Sequence, residues 1–286
     1  MSVNSIDFRQ NRTTEATRRP SPAIWADCPV LDLKEDPGKG LYFFDDFQGF
    51  PLPGTQTTQI GFGQYKVFAT AGSSITRISA VGGVELEGGA LSATTDTDND
   101  SATIAQAFPS YFLSNSNGTS GKLWFEVCYA QNSILTNMAA VFLGLAEVEQ
   151  WTLATGVPFN GGDAITNSAS AIGFRIEEDG LGVIDTVVSD RATSFSNIGD
   201  TEGGTLVANT FKKLGFVYDP NALTANRIRF YADNLELTTK ISGTTLGAYT
   251  NLDANPLGFI WATCADSAGT AFAGYLKWVR IAQLMP

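Results

Sequence analysis

Histidine is absent from all 286 residues of the chain. Without an imidazole there is no Ser-His-Asp or Cys-His triad, no histidine-ligated zinc and no histidine general base. Carboxylate, Tyr, Lys and Ser chemistry stays open. Cysteine is scarce, with only Cys28, Cys128 and Cys264, and an odd number excludes a fully paired disulfide framework. Each lies among apolar or aromatic neighbours, as in Trp124-Phe-Glu-Val-Cys128 and Trp261-Ala-Thr-Cys264. These surroundings predict buried free thiols that act as small hydrophobes, which suits folding in a reducing cytoplasm. Long apolar runs are missing too. No stretch approaches the ~18 residues of a membrane span, and the first 20 residues lack the apolar core of an export signal.

Charge is thin: 16% of residues are charged, against about 25% in ordinary soluble domains. What charge there is gives a net −11, so phosphates repel the chain and nucleic acid is not an expected partner. The balance is uneven. Arg9, Arg12, Arg18 and Arg19 face only Glu15 within residues 9–19, which makes the N-terminal tip basic. It is either a solvated start or a contact for an acidic neighbour.

Residues 1–40 differ from the rest. They hold Arg19-Pro20-Ser21-Pro22, Cys28-Pro29 and Asp36-Pro37-Gly38, with Ile24, Trp25, Val30, Leu31 and Leu33 between them. Proline disfavours helix for itself and for its predecessor, so the stretch reads as an extended arm. Apolar anchors in an arm imply a surface to lie on, either the chain's own or a neighbour's. Trp25 is the strongest anchor, because tryptophan is over-represented at interface hot spots.

From residue 41 onward the pattern is short β-forming runs bounded by Gly, Ser, Asn and Asp. The runs fall at 41–47, 65–68, 75–78, 83–87, 102–108, 122–129, 139–146, 171–176, 182–188, 211–218, 227–231, 256–262 and 274–282. Residues 139–146 form a continuous apolar run, as in a strand buried on both faces. Residues 171–176 and 182–188 flank Glu177-Glu-Asp-Gly180, which predicts a hairpin. Residues 146–153 have enough periodicity for one or two helical turns. No repeat of 20 to 50 residues is evident, which excludes solenoids and propellers. The expectation is an all-β, antiparallel jelly-roll β-sandwich over residues 41–286, preceded by an extended arm over 1–40.

Four segments carry a resemblance. Phe43-Phe-Asp-Asp-Phe47 comes first, then Leu123-Trp-Phe-Glu-Val127 leading to Val141-Phe-Leu-Gly-Leu145. Lys213-Leu-Gly-Phe-Val-Tyr-Asp219 with Arg229-Phe-Tyr-Ala-Asp-Asn234 follows, and Leu276-Lys-Trp-Val-Arg-Ile-Ala282 closes the series. In this order they resemble the concanavalin A-like lectin/glucanase superfamily over roughly residues 41 to 284. One position departs from the laminin-G-like members: their "F-Y-x-D-G" turn reads Tyr231-Ala-Asp-Asn-Leu235 here. Asparagine tolerates the left-handed conformation, so the turn can survive. The Pro-studded start, absent histidine and Thr/Gly-rich style also resemble virion proteins of tailed bacteriophages.

The resemblance implies two kinds of site. Glucanases of the superfamily present paired carboxylates as E-x-D-x-x-E on one strand, and a retaining pair sits about 5 to 5.5 Å apart. No such motif occurs: Glu126 stands alone in its run, and Glu177, Glu178 and Asp179 are consecutive in a turn. Hydrolysis is therefore not expected. Lectin-like members bind sugar with exposed aromatics and polar loops, and Trp151, Phe159, Asn160 and Asp163 are the matching group. The alternative for Trp151 is a cap on the core. Asp96, Asp98 and Asp100 have D-x-D-x-D spacing that can offer oxygens to Ca²⁺. Ser101 and Ala107 stand where an EF-hand needs Gly and Glu, so that motif fails. The alternative is a solvated acidic loop. Trp124, Trp261 and Trp278 lie inside strands and are read as core.

The function expected from these features is a non-enzymatic virion structural protein, assembled in the host cytoplasm. It would decorate a capsid as a homo-oligomer, with Arg12, Arg18, Arg19, Ile24, Trp25 and Leu31 meeting the major capsid protein or other virion subunits. No organic cofactor, nucleic acid or membrane partner is implied. The alternative is a carbohydrate-binding, lectin-like module of a tail fibre or surface assembly, directed at a cell-surface glycan.

Overall fold

The computed structural model describes residues 19–50, 60–70, 72–95, 100–114, 120–135, 139–147, 170–177, 181–190, 193–199, 201–250, 252, 255–265 and 271–286. They form two antiparallel eight-stranded sheets. The first sheet holds β1 (Gly40–Asp45), β4 (Ser74–Val81), β5 (Val84–Thr95), β7 (Leu123–Gln131), β12 (Lys212–Tyr218), β13 (Ile228–Ala232), β14 (Leu235–Ile241) and β16 (Phe272–Leu284). The second holds β2 (Ile60–Phe62), β3 (Tyr65–Ala69), β6 (Ser101–Gln106), β8 (Ala139–Ala146), β9 (Ala171–Ile176), β10 (Ile184–Asp190), β11 (Thr193–Gly199) and β15 (Gly258–Ala265). The order is β14-β13-β12-β7-β16-β5-β4 in the first and β11-β10-β9-β8-β15-β6-β3-β2 in the second. Apart from hairpins and the β8–β11 meander, the chain crosses from one sheet to the other at each connection, which makes the sandwich a jelly roll.

Alternation along the strands builds the core. On β7, Leu123, Phe125, Val127 and Tyr129 point between the sheets, while Trp124, Glu126 and Cys128 point outward. Phe125 stacks on Phe216 with ring centroids 4.8 Å apart and meets Phe259 of the other sheet at 6.4 Å. Such ring pairs add about 0.5–1.5 kcal/mol each beyond burial alone. Trp124, Trp261 and Trp278 are buried, as the strand pattern implied. The residues of β8 are buried on both faces, and β9 pairs with β10 as the sequence hairpin predicts. All three cysteines are free and buried.

Strand β16 is long enough to hold two partners in tandem on one edge. Phe272–Leu276 pair with β5, and Val279–Leu284 pair with β1. Its other edge runs along β7. The turn between β13 and β14 carries Asp233 at φ 46° and Asn234 at φ 72°. Two left-handed residues in a two-residue loop define a type I′ hairpin, with Asn at its second position. Three strands escape a hydrophobicity reading: β2 is three residues long, and β11 and β14 are largely polar. Of the helical turns expected over 146–153, Ala146 ends β8 and residues 148–153 lie outside the described residues.

Residues 19–35 depart from the expected extended arm, of which residues 1–18 lie outside the described residues. Pro22–Trp25 forms a helical turn, α1, and Val30–Glu35 forms a second, α2. The reason is positional. Pro22 occupies the first helical turn, where its missing N–H is not needed and its fixed φ already suits the helix. Pro29 sits just before α2 begins, so the prolines punctuate the helices instead of preventing them. Ile24, Trp25, Cys28, Val30 and Leu33 then join Trp124, Val217, Tyr231 and Ala282 in a satellite core on the outward face of the first sheet.

Candidate functional site

The expected arm residues divide. Ile24 and Trp25 are each 1% exposed, and both are used within the chain. The indole N–H of Trp25 donates to Glu126 Oε2 at 2.8 Å, and the Ser21 N–H donates to the same carboxylate at 3.0 Å. Ile24 lies over Gly215, where an added Cβ would come within 2.6 Å of its Cδ1. Lys213 Nζ donates to the Arg19 carbonyl at 3.2 Å. Leu31 alone faces outward, 42% exposed. Arg12 and Arg18 lie outside the described residues, as do Trp151, Phe159, Asn160, Asp163, Asp96 and Asp98. Asp100 Oδ1 accepts from Thr70 Oγ1 at 2.8 Å. Among the described residues no group of three His, Cys, Asp or Glu is placed to hold a metal ion.

A different set of side chains forms a cleft of about 520 Å³, lined by Asp45, Gly49, Phe50, Gly61, Gly63, Gln64 and Tyr65. That is within the range of small-ligand sites, about 300–1,000 Å³. Three local events assemble it. Strand β1 delivers Asp45 at its end, paired with Val279. Phe47 then turns in the left-handed region at φ 57°, and its N–H donates to Asp45 Oδ1 at 2.6 Å. On the other wall the β2–β3 hairpin turns at Gly63, φ 57°, and presents Gln64 and Tyr65. The Tyr65 hydroxyl donates to Asp45 Oδ2 at 2.8 Å, and Gln64 Nε2 donates to the same oxygen at 3.0 Å.

The carboxylate therefore sits in the cleft with three donors fixing it, two on Oδ2 and one on Oδ1, so Oδ1 keeps acceptor capacity for a further donor. The floor is aromatic: Tyr65 lies 5.4 Å from Phe50 and 5.9 Å from Phe47, ring to ring. Burial, and then the neighbouring Asp45, push the Tyr65 hydroxyl far above its ordinary range, so it remains a neutral donor. A Cβ added at Gly49, Gly61 or Gly63 meets nothing within 4 Å. Among the described residues, the three glycines place no side chain in that space.

A charged cluster lies on the outward face of the second sheet. Asp185 and Arg175 are register partners on β10 and β9, with Arg175 Nη2 3.4 Å from Asp185 Oδ2. Arg175 also pairs with Glu177, and the Thr201 N–H donates to Asp185 Oδ1 at 2.8 Å. Both carboxylates are tied to one guanidinium, which makes the cluster a structural ion network.

Sequence reasoning did not single out the cleft residues, because no spacing motif joins Asp45 to Gln64 and Tyr65. The available signal was the density of glycine between Gly49 and Gly63 after an aromatic strand ending in aspartate.

No protein-family model matches the chain, and none of the curated proteins compared matches it. Solved structures do. A protein of unknown function from Shewanella oneidensis MR-1 shares 12% identity over 93% of this chain and 97% of its own, with a TM-score of 0.51. An endo-1,3-beta-glucanase from Streptomyces sioyaensis shares 15% over 88% of this chain and 99% of its own, with a TM-score of 0.54. Peanut lectin shares 13% over 87% and 99%, with a TM-score of 0.48. The likeness to the first two is one of fold, and the chain has the jelly-roll sandwich of concanavalin A-like lectin/glucanase folds.

Proposed function

We propose that the protein is a carbohydrate-binding, lectin-like module and that the Asp45 cleft receives the sugar. The observation that carries this reading is the glycine-rimmed cleft itself, with a carboxylate fixed by Tyr65, Gln64 and the Phe47 amide over an aromatic floor. Sugar hydroxyls are donors that a preorganised carboxylate accepts, and ring C–H faces pack on aromatic side chains. The reading is of binding without hydrolysis. Asp45 is the one carboxylate among the described residues lining the cleft, whereas hydrolysis needs two flanking the scissile bond.

The test is a glycan array followed by titration calorimetry. β-1,3-Glucan oligosaccharides are included because the Streptomyces neighbour is named for that activity. Wild-type protein is expected to bind a hydroxyl-rich oligosaccharide saturably. Asp45→Ala is expected to weaken it about tenfold or more, the scale of one charged hydrogen-bonding group. Gly61→Trp fills open space, so it is expected to abolish binding while leaving the melting temperature unchanged. Binding that survives Gly61→Trp, or no binding to any glycan, overturns the reading.

A second reading is a virion structural protein. Charge supports it: an acidic body suits a solvated outer surface, and the arginines of residues 9–19 suit an acidic neighbour such as a capsid subunit. Because Ile24 and Trp25 are occupied within the chain, the tether in this reading is the basic tip, with Arg12 and Arg18.

A further inference from the structure

The outward face of the first sheet is a socket fitted to the chain's own residues 19–35. One row of register partners crosses it, from Phe44 and Arg280 through Glu126 and Gly215 to Tyr231. Trp25 lies over this row, with its ring 5.4 Å from the Arg280 guanidinium carbon, which also meets the Phe44 ring at 4.8 Å. Glu126 receives Ser21 and Trp25, and Gly215 leaves the notch for Ile24. Asn234 Oδ1 accepts from the Ala23 N–H at 2.7 Å. In the reverse sense, Asp27 accepts from Trp124 Nε1 at 2.8 Å and from Lys122 Nζ at 2.5 Å.

Each of these polar bonds joins residues at least 95 positions apart in sequence. None depends on the strap and the socket belonging to one molecule. Their covalent connection is the stretch 36–39, exposed throughout and containing Pro37 and Gly38.

We propose that this strap exchanges between copies: residues 19–35 of one molecule occupy the socket of a second, and the reverse, in a closed two-fold dimer. An exchanged pair remakes every contact above and differs only in the path of the hinge, so the two forms are close in energy and protein concentration decides between them. The fit selects a second copy as the partner, because the socket is cut to this chain's own residues, and charge permits the approach. Arg9, Arg12, Arg18 and Arg19 lead the strap, and the chain as a whole is at −11, so one molecule's N-terminal end is drawn to another's body. This inference does not rest on the glycan reading and stands or falls separately from it.

The Asp27–Lys122 contact supplies the readout. Light and ¹⁵N-labelled full-length chains are mixed, opened in mild denaturant, returned to buffer at several concentrations and treated with a carbodiimide, which joins adjacent carboxylate and amine groups without a spacer. Exchange is expected to give Asp27–Lys122 cross-links with one light and one heavy partner, their share rising with protein concentration and concentrated in the dimer fraction. Cross-links of a single isotope at every concentration overturn the proposal. A second variant deletes Pro37–Lys39, removing about 10 Å of reach. It is expected to shift the folded protein toward dimer, and a folded monomer with Trp25 still buried by fluorescence overturns the proposal equally. If that deletion unfolds the chain, the wild-type isotope experiment decides alone.

Discussion

Glu126 is a carboxylate without contact to water: it is fully buried, and its donors are Ser21 and Trp25. Burial raises its pKa above the ordinary 4.5, and the hydrogen bonds from Ser21, the charge of Lys213 and the Trp25 hydrogen bond only partly oppose this. The folded protein then holds a proton at this site more tightly than the unfolded chain. That contribution to stability is complete below pH 4.5 and is lost as pH rises through the elevated value. Glu126→Gln has no such proton to lose. Urea midpoints measured from pH 4 to 8 are expected to fall less steeply for Glu126→Gln than for wild type; parallel curves would contradict the account. The thiol of Cys28 follows the same logic, pushed up to about 12 by burial and then by Asp27, which leaves it protonated and unreactive at neutral pH.

At the scale of elements, close approach of backbones decides more than hydrophobicity does. Gly144 on β8 and Gly173 on β9 are register partners. A Cβ at Gly144 would fall 2.2 Å from the Ile172 carbonyl, with the neighbouring backbone unable to yield. Gly144→Ala is therefore expected to destabilise the fold by about 3 kcal/mol or more, as overpacking against backbone does. Gly61→Ala, at an open position on β2, is expected to stay within about 0.5 kcal/mol of wild type. Thermal denaturation of the two variants side by side checks this, and equal losses would refute it. The same scale explains the misread elements. Prolines that argue against helix in a linear reading become helix starts at Pro22 and Pro29 once the apolar residues between them have a sheet to cover. Strand β14 carries Glu236, Thr238, Thr239 and Lys240 between Leu235, Leu237 and Ile241, so its apolar signal is weak; the I′ turn at Asp233 and Asn234 and pairing with β13 bring it into the sheet.

For the whole molecule, low charge density, absent histidine and short alternating runs already pointed to one kind of protein: a β-sandwich without imidazole chemistry. The virion reading is tested at this scale, by quantitative mass spectrometry of purified particles with and without residues 1–18. Hundreds of copies per particle, lost on deletion, would support it, and a few copies or none would remove it. Most strands were legible because each writes its own period-two pattern into local sequence, as Leu123 to Tyr129 does on β7. The hairpin turn at Asn234 was legible because left-handed conformations favour few residue types. The Asp45 cleft was not, because its two walls meet only when β1 and the β2–β3 hairpin come together at the edge between the sheets. Nor was the destination of Trp25. Local sequence marks Trp25 as an apolar anchor in a polar, Pro-rich stretch, but its partner Glu126 is set by the fold, since a hydrogen bond between residues 101 positions apart leaves no trace in local periodicity.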